Sequence, residues 1–317
     1  MNHRRFIVLT GMLAAALAVG GPAAAGQGAA GTDSVGTSVS GATTNTSDHG
    51  GDRDRHQEKF DYYLALGDSL AVGVQPNAAG VSLPTSEGYA DDLAAHLRER
   101  NRHLTFVDLG CPGETTTTMV VGGCPFPHSY ADQVGAAVAF LTEHPHAHIL
   151  LTIDIGANNV DGCTNASGIN IACVAAGLTT AASDLPKILG ALTAAAGDHV
   201  EFAAMNYYNP FLALWLTGPA GQQQAVASVQ LQAQLNGILG QAYGAFGIPV
   251  VDVSGVFHST QFTPLVQLTP TVQVPLNVAL VCQWTWMCAP APVGPNIHAN
   301  KDGYEQIAEA FADVVDR

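Results

Sequence analysis

The sequence predicts an α/β protein, a three-layer sandwich on a five-stranded parallel sheet. Five short apolar runs rich in strand-forming residues recur between Tyr62 and Val253, and longer segments with helical spacing of apolar residues separate them. Strands that alternate with helices pair in parallel through right-handed crossovers, which puts helices on both faces of the sheet. The third observation is length: about 260 residues follow a low-complexity N-terminal region, enough for one large domain of this kind.

Tyr62 to Leu66 is the first strand. It ends at Gly67, and Asp68-Ser69-Leu70 follow, so Ser69 stands just past the end of a buried strand, where open α/β sheets place their sites. Gly67 lets the backbone turn tightly and hold the hydroxyl outward. Taken alone, the same residues also read as a serine capping a helix. Glu87 to Asn101 has helical period, with Tyr89, Leu93 and Leu97 on one face. His103 to Leu109 is the second strand and runs into the loop Gly110 to Thr116. A helix over Asp132 to Glu143 precedes the third strand, His148 to Ile155, which ends at Gly156-Ala157-Asn158-Asn159. Leu178 to Ala196 reads as a helix interrupted near Pro186, Val200 to Asn206 as the fourth strand, and Gln222 to Tyr243 as a long helix. Pro249 to Val253 is the fifth strand, and Asp302 to Val315 is a closing helix with Tyr304, Ile307, Ala308 and Phe311 in one apolar stripe. Phe257 to Pro295 breaks this rhythm: it is apolar, Pro-rich and irregular. A loop that long is functional or, as a second reading, a disulfide-pinned excursion.

Ahead of this domain, Arg4 and Arg5, an apolar run from Phe6 to about Val19 and Ala23-Ala24-Ala25 form the pattern of a secretory signal peptide over residues 1–25. Residues 26–58 are Gly, Ser, Thr, Ala and Asp with almost nothing to bury, a disordered tail by composition. The domain occupies 59–317. Cleavage would remove two arginines and no acids, taking the formal charge from −15 to −17. No basic stripe for nucleic acid is visible, and no later stretch is apolar and long enough for a transmembrane segment. The expected protein is a secreted monomer.

Six cysteines in an exported chain imply a disulfide framework. Short spacing suggests Cys111 with Cys124, Cys163 with Cys173, and Cys282 with Cys288. No Cys-x-x-Cys pair exists, so a metal site is not expected, and no cofactor is implied. Asp68 is expected to tie its turn together, and Asp154 to pair locally.

Three strand ends carry the residue types that acyl transfer needs. Ser69 offers a nucleophile. The loop after the second strand offers backbone N–H groups and the third strand end an Asn amide, donors worth about 3 kcal/mol each to a developing oxyanion. His298, just before the closing helix, is the candidate base.

These residues resemble the GDSL, or SGNH, hydrolase superfamily in four ordered blocks: Gly67-Asp68-Ser69-Leu70, Gly113, Gly156-Ala157-Asn158-Asn159, and Asn296-Ile297-His298-Ala299-Asn300 with Gly303-Tyr304. The resemblance implies a flavodoxin-like sandwich of strand order 2-1-3-4-5. It implies Ser69 and His298 as catalytic residues, with the oxyanion held by the Ser69 and Gly113 N–H groups and the Asn158 side chain. Two positions depart from the family. Asn159 replaces an aspartate, and Pro295 stands three residues before the histidine where an aspartate is usual. The partner that orients His298 is then a backbone carbonyl of Val293 to Pro295, the favoured reading, or the Asn296 amide oxygen, or Asp252. The resemblance implies a secreted esterase or lipase acting on a small-molecule or lipid ester. Phe257 to Pro295 motivates a lipidic acyl group, with one of Trp284 and Trp286 facing substrate. The alternatives are a carbohydrate acetyl-esterase and, from another class, an inactive lipid- or glycan-binding module.

Overall fold

The computed structural model describes residues 60–317 except 125, 127, 166 and 167. The signal peptide and tail expected over 1–58 lie outside the described residues.

Five parallel strands form the central sheet: β1 (Tyr62–Gly67), β2 (Thr105–Asp108), β3 (Ile149–Asp154), β4 (Val200–Met205) and β5 (Val250–Val251). Their order is β2-β1-β3-β4-β5, the order 2-1-3-4-5. β3 buries all six of its residues and β1 all but partly exposed Tyr62, as strands covered on both faces must. Tyr62 pairs with Thr105 on one side and Ile149 on the other, which sets the register at the sheet's centre.

The helices are α1 (Tyr89–Arg100), α2 (Thr116–Val121), α3 (Gln133–Glu143), α4 (Ile171–Ala195), α5 (Pro219–Ala245), α6 (Val253–Val256), α7 (Leu276–Trp284) and α8 (Lys301–Val315). α1 packs on α8, where Tyr89 stacks on Phe311 at 4.8 Å, while α4 packs on α3 and α5. The stripe Tyr304, Ile307, Ala308 and Phe311 is buried as its spacing predicts. No helix among the described residues is long and apolar enough to cross a membrane.

Two segments correct the sequence reading. α4 begins at Ile171 and continues through Pro186. An internal proline costs about 3 kcal/mol, but Val174, Leu178, Ala181, Leu185, Ile188, Leu189 and Leu192 form one continuous buried stripe across it. Phe257 to Pro295 is not an irregular loop. It contains an antiparallel ribbon, Leu265–Thr269 with Val272–Pro275, then α7 and a 3-10 turn at Trp286–Cys288. Its alternation is short and lies among prolines, which hides the ribbon from a periodicity argument.

Candidate active site

The C-terminal end of β1 is built to hold one turn rigidly. A Cβ at Gly67 would collide with the Asp154 carboxyl of β3, so only glycine fits there. The buried side chain of Gln133, at the start of α3, clamps the same residue. Its Oε1 accepts from the Gly67 N–H at 2.7 Å and its Nε2 donates to the Gly67 carbonyl at 3.0 Å. Asp68 points inward. Its carboxyl accepts from the Leu70 N–H at 3.0 Å and the Tyr207 hydroxyl at 2.7 Å, while its own N–H donates to Asp154 Oδ2 at 3.3 Å. The Tyr89 hydroxyl donates to Asp154 Oδ1 at 2.6 Å. Burial raises the pKa of both carboxyls, and Asp154, buried against the charge of Asp68, stands well above the usual carboxylate range. Asp68 ties its own turn together through Leu70 as expected, whereas the partners of Asp154 stand 65 and 86 residues away in the chain.

The loops after β2 and β3 meet beside this turn. Cys111 donates its N–H to the Gly67 carbonyl at 3.0 Å and is joined to Cys124. Gly113 has φ +81°, a left-handed conformation suited to glycine. Asn158 lies in a 3-10 turn after β3, and its Nδ2 donates to the Glu114 carbonyl at 2.9 Å. That bond uses one amide hydrogen and ties Asn158 to the residue after Gly113; the second hydrogen can serve a bound oxygen. Asn159 accepts from the Thr116 N–H at 3.0 Å and donates to the Thr116 hydroxyl at 2.8 Å. An aspartate could not make the second of these bonds as a donor.

His298 enters from the far end of the chain, ahead of α8. Its carbonyl accepts from the Trp286 N–H at 3.0 Å, and the Tyr208 hydroxyl donates to the preceding carbonyl, of Ile297, at 2.7 Å. Thr285 bridges Ala299, and Cys282 is joined to Cys288 in the same support. The imidazole Nδ1 lies 2.7 Å from Asn296 Oδ1. Among the described hydrogen bonds none joins the ring to a carbonyl of residues 293–295, so the favoured carbonyl reading is not what the geometry presents. Pro295 is exposed. Asp252, the third candidate, caps α6 through the Gly255 N–H at 3.0 Å and accepts from Asn206 Nδ2 at 2.7 Å. Burial pulls the His298 pKa down to about 4.

Ser69, Asn158 and His298 line one pocket together with Asp68. Gly113 is not among its lining residues, although its neighbour Glu114 holds Asn158. Ile169, Val174, Phe211, Leu231 and Leu235 make the pocket walls predominantly apolar. Asp161 is the second acid in the lining beside Asp68; burial, and then the charge of Asp68, raises its pKa to about 7. No residue of Phe257 to Pro295 lines this pocket. Trp284 packs edge-on against Phe257, and Trp286 Nε1 donates to Gln75 Oε1 at 3.3 Å, so neither indole is a wall of it. The third disulfide, Cys163–Cys173, joins the turn after Asp161 to the first turn of α4.

Sequence reasoning missed Gln133, Tyr207, Tyr208 and Asp161. The two tyrosines stand just past the end of the fourth strand, the same signal that singled out Ser69. Gln133 carries no such signal, since nothing in its surroundings in sequence points to a partner 66 residues away.

The family model for GDSL-like lipases and acylhydrolases matches residues 65–306. Among solved structures, the extracellular lipase of Streptomyces rimosus is similar over 80% of this chain and 98% of its own, at 16% identity and a TM-score of 0.51. A phospholipase A1 from Streptomyces albidoflavus matches 81% of this chain and 98% of its own at 16% identity and TM-score 0.46. The carbohydrate acetylesterase Est24 from Sinorhizobium meliloti matches 80% and 98% at 13% identity and TM-score 0.43. No curated protein matches the chain. At 16% identity the Streptomyces rimosus structure speaks for the fold alone, while the family match spans most of the domain and all four sequence blocks: the chain belongs to the GDSL-like lipase/acylhydrolase family.

Proposed function

We propose that this chain is an exported serine ester hydrolase that cleaves carboxylic esters with an apolar acyl group through an acyl-enzyme. The observation that carries the reading is the single pocket in which Ser69, Asn158 and His298 meet under mostly apolar walls. Ser69 Oγ attacks the ester carbonyl while His298 Nε2 takes its proton, and the tetrahedral oxyanion is received by the Ser69 and Gly113 N–H groups and Asn158 Nδ2. The imidazolium then protonates the departing alkoxide. Water attacks the acyl-Ser69 ester with the same base, releasing the acid and restoring the hydroxyl. Three disulfides support the reading of an exported protein.

The test is hydrolysis of p-nitrophenyl esters from acetyl to palmitoyl by the oxidised protein beside Ser69→Ala. Loss of turnover in the variant, with an optimum above acetyl, is the expected result. Activity confined to acetyl esters and acetylated xylan would instead identify a carbohydrate acetyl-esterase. Absence of Ser69-dependent turnover and of fluorophosphonate labelling would identify a binding module.

A further inference from the structure

The position at which the family carries its aspartate is Pro295, yet the imidazole of His298 is not left without an acceptor. Asn296 Oδ1 receives two bonds, from the His298 backbone N–H at 3.1 Å and from Nδ1 at 2.7 Å. A backbone N–H can only donate, so the atom facing both groups is the amide oxygen, and an oxygen without hydrogens makes Nδ1 the donor. That fixes the tautomer: Nδ1 carries the proton and Nε2 presents its lone pair. The other end of the same amide is held as well. Asn296 Nδ2 donates to Ser82 Oγ at 2.8 Å, and the Asn296 N–H donates to the Trp286 carbonyl at 3.2 Å. Ser82 belongs to a two-stranded ribbon, Gln75–Pro76 with Ser82–Leu83, that leaves the nucleophile turn and returns to it. The ribbon is braced in turn by Trp286, whose indole N–H donates to Gln75.

We infer that Asn296, locked by Ser82, is the positioning residue for His298, a neutral amide standing in for the missing carboxylate and giving a Ser69-His298-Asn296 relay with no buried acid at its end. This inference rests on the esterase reading for its catalytic meaning, but its geometry is independent of substrate. A neutral acceptor orients the ring without stabilising the imidazolium as a carboxylate does. The base therefore works from the neutral state over a wide pH range and gains less when it takes the Ser69 proton. The titratable groups that share the pocket with His298 are Asp68, Asp161, Tyr207 and Tyr208. None of them is bonded to Nδ1 among the described hydrogen bonds.

The experiment compares wild type with Asn296→Asp, Asn296→Ala, Ser82→Ala and Ser82→Thr. The first readout is kcat/KM against pH on p-nitrophenyl butyrate. Asn296→Asp is expected to raise the acid limb by about 1–3 pH units, as an opposite charge against an imidazole does. Asn296→Ala is expected to lower kcat roughly tenfold to a hundredfold, the range found when the partner that orients a metal-bound histidine is lost, with KM changed little. Ser82→Ala should move kcat in the same direction, and Ser82→Thr, which keeps the hydroxyl, should restore it.

The second readout needs no turnover. Imidazole 15N shifts report the His298 tautomer and its pKa in each folded variant. The Nδ1–H form should dominate in wild type, mix with the other tautomer in Asn296→Ala, and titrate higher in Asn296→Asp. An unchanged tautomer in Asn296→Ala together with an unchanged pKa in Asn296→Asp would overturn the inference. Loss of Ser69-dependent turnover in wild type would overturn the esterase reading and leave this second readout to judge Asn296 by itself.

Discussion

The backbone N–H of Asp68 donates to Oδ2 of Asp154 at 3.3 Å, so two buried carboxyl groups meet under the turn that bears Ser69. Among the described residues they also accept from the hydroxyls of Tyr207 and Tyr89 and the N–H of Leu70, all neutral, and the neutral Ser69 side chain lies against Asp68. With no cation bonded to either among the described residues, two adjacent negative charges there are costly, and Asp154 retains its proton well above the usual carboxylate range.

Such an acid stabilises the fold below its unfolded pKa and loses that contribution as pH rises toward its folded value. Asp154→Asn keeps a neutral side chain of the same shape at every pH. The thermal midpoint of the variant relative to wild type should therefore rise progressively from pH 4 to pH 8. A difference independent of pH would mean that Asp154 does not titrate abnormally.

The His298 shift has the opposite sign. Its pKa falls from the ordinary 6.5 to about 4 because burial disfavours the imidazolium. On the proposed mechanism neutral imidazole is the active base, so kcat/KM should hold from pH 7 down to pH 5 and fall with an apparent pKa near 4. An acid limb near 6.5 would contradict the burial seen at this site.

Leu231 lies on the pocket-facing side of α5 and is partly exposed there. Leu231→Trp should shorten the acyl chain the pocket accepts. The expected loss in kcat/KM is roughly tenfold or more for octanoyl relative to acetyl esters, the discrimination that one or two methylenes command. A parallel loss on all chain lengths would place the acyl group elsewhere.

Gly67 admits no side chain beside Asp154 and adopts φ +153°. Gly67→Ala should displace the Ser69 turn, lowering the thermal midpoint and kcat together. Retention of both would show that β1 and β3 have room to separate.

The disulfide Cys163–Cys173 closes a short loop against the start of α4. Replacing both cysteines by serine should cost about 2–4 kcal/mol of stability in denaturant titration. A smaller cost would mean that the cap of α4 by Asn170 holds the loop on its own.

The sheet was legible because β1 and β3 are covered on both faces, and covered strands are unbroken apolar runs. α8 was legible from one apolar stripe. β5, only Val250–Val251, was legible as a place in the alternation and not as a run. Ser69, Asn158 and His298 could be found because each follows a strand or precedes a helix at the same edge. Asn296 could be named as one acceptor among three. Its selection depends on Ser82, more than two hundred residues earlier in the chain, and no local pattern contains that distance. The apolar walls of the pocket were hidden for a related reason. Phe257 to Pro295 read as functional or as a disulfide-pinned excursion by composition, while the walls come from the segment between β3 and α4, from α4 and α5, and from the turn after Asn209, whose apolar residues resemble ordinary core.

α5 presents Ser228, Leu231, Gln232 and Leu235 to the pocket from a single helical face, while Ser69, Asn158 and His298 hang from loops at the sheet's edge. In the proposed esterase, bond cleavage and substrate choice thereby fall to separate stretches of chain. Such a lineage could trade one acyl preference for another by substitutions along one face of α5, without disturbing Ser69, Asn158 or His298.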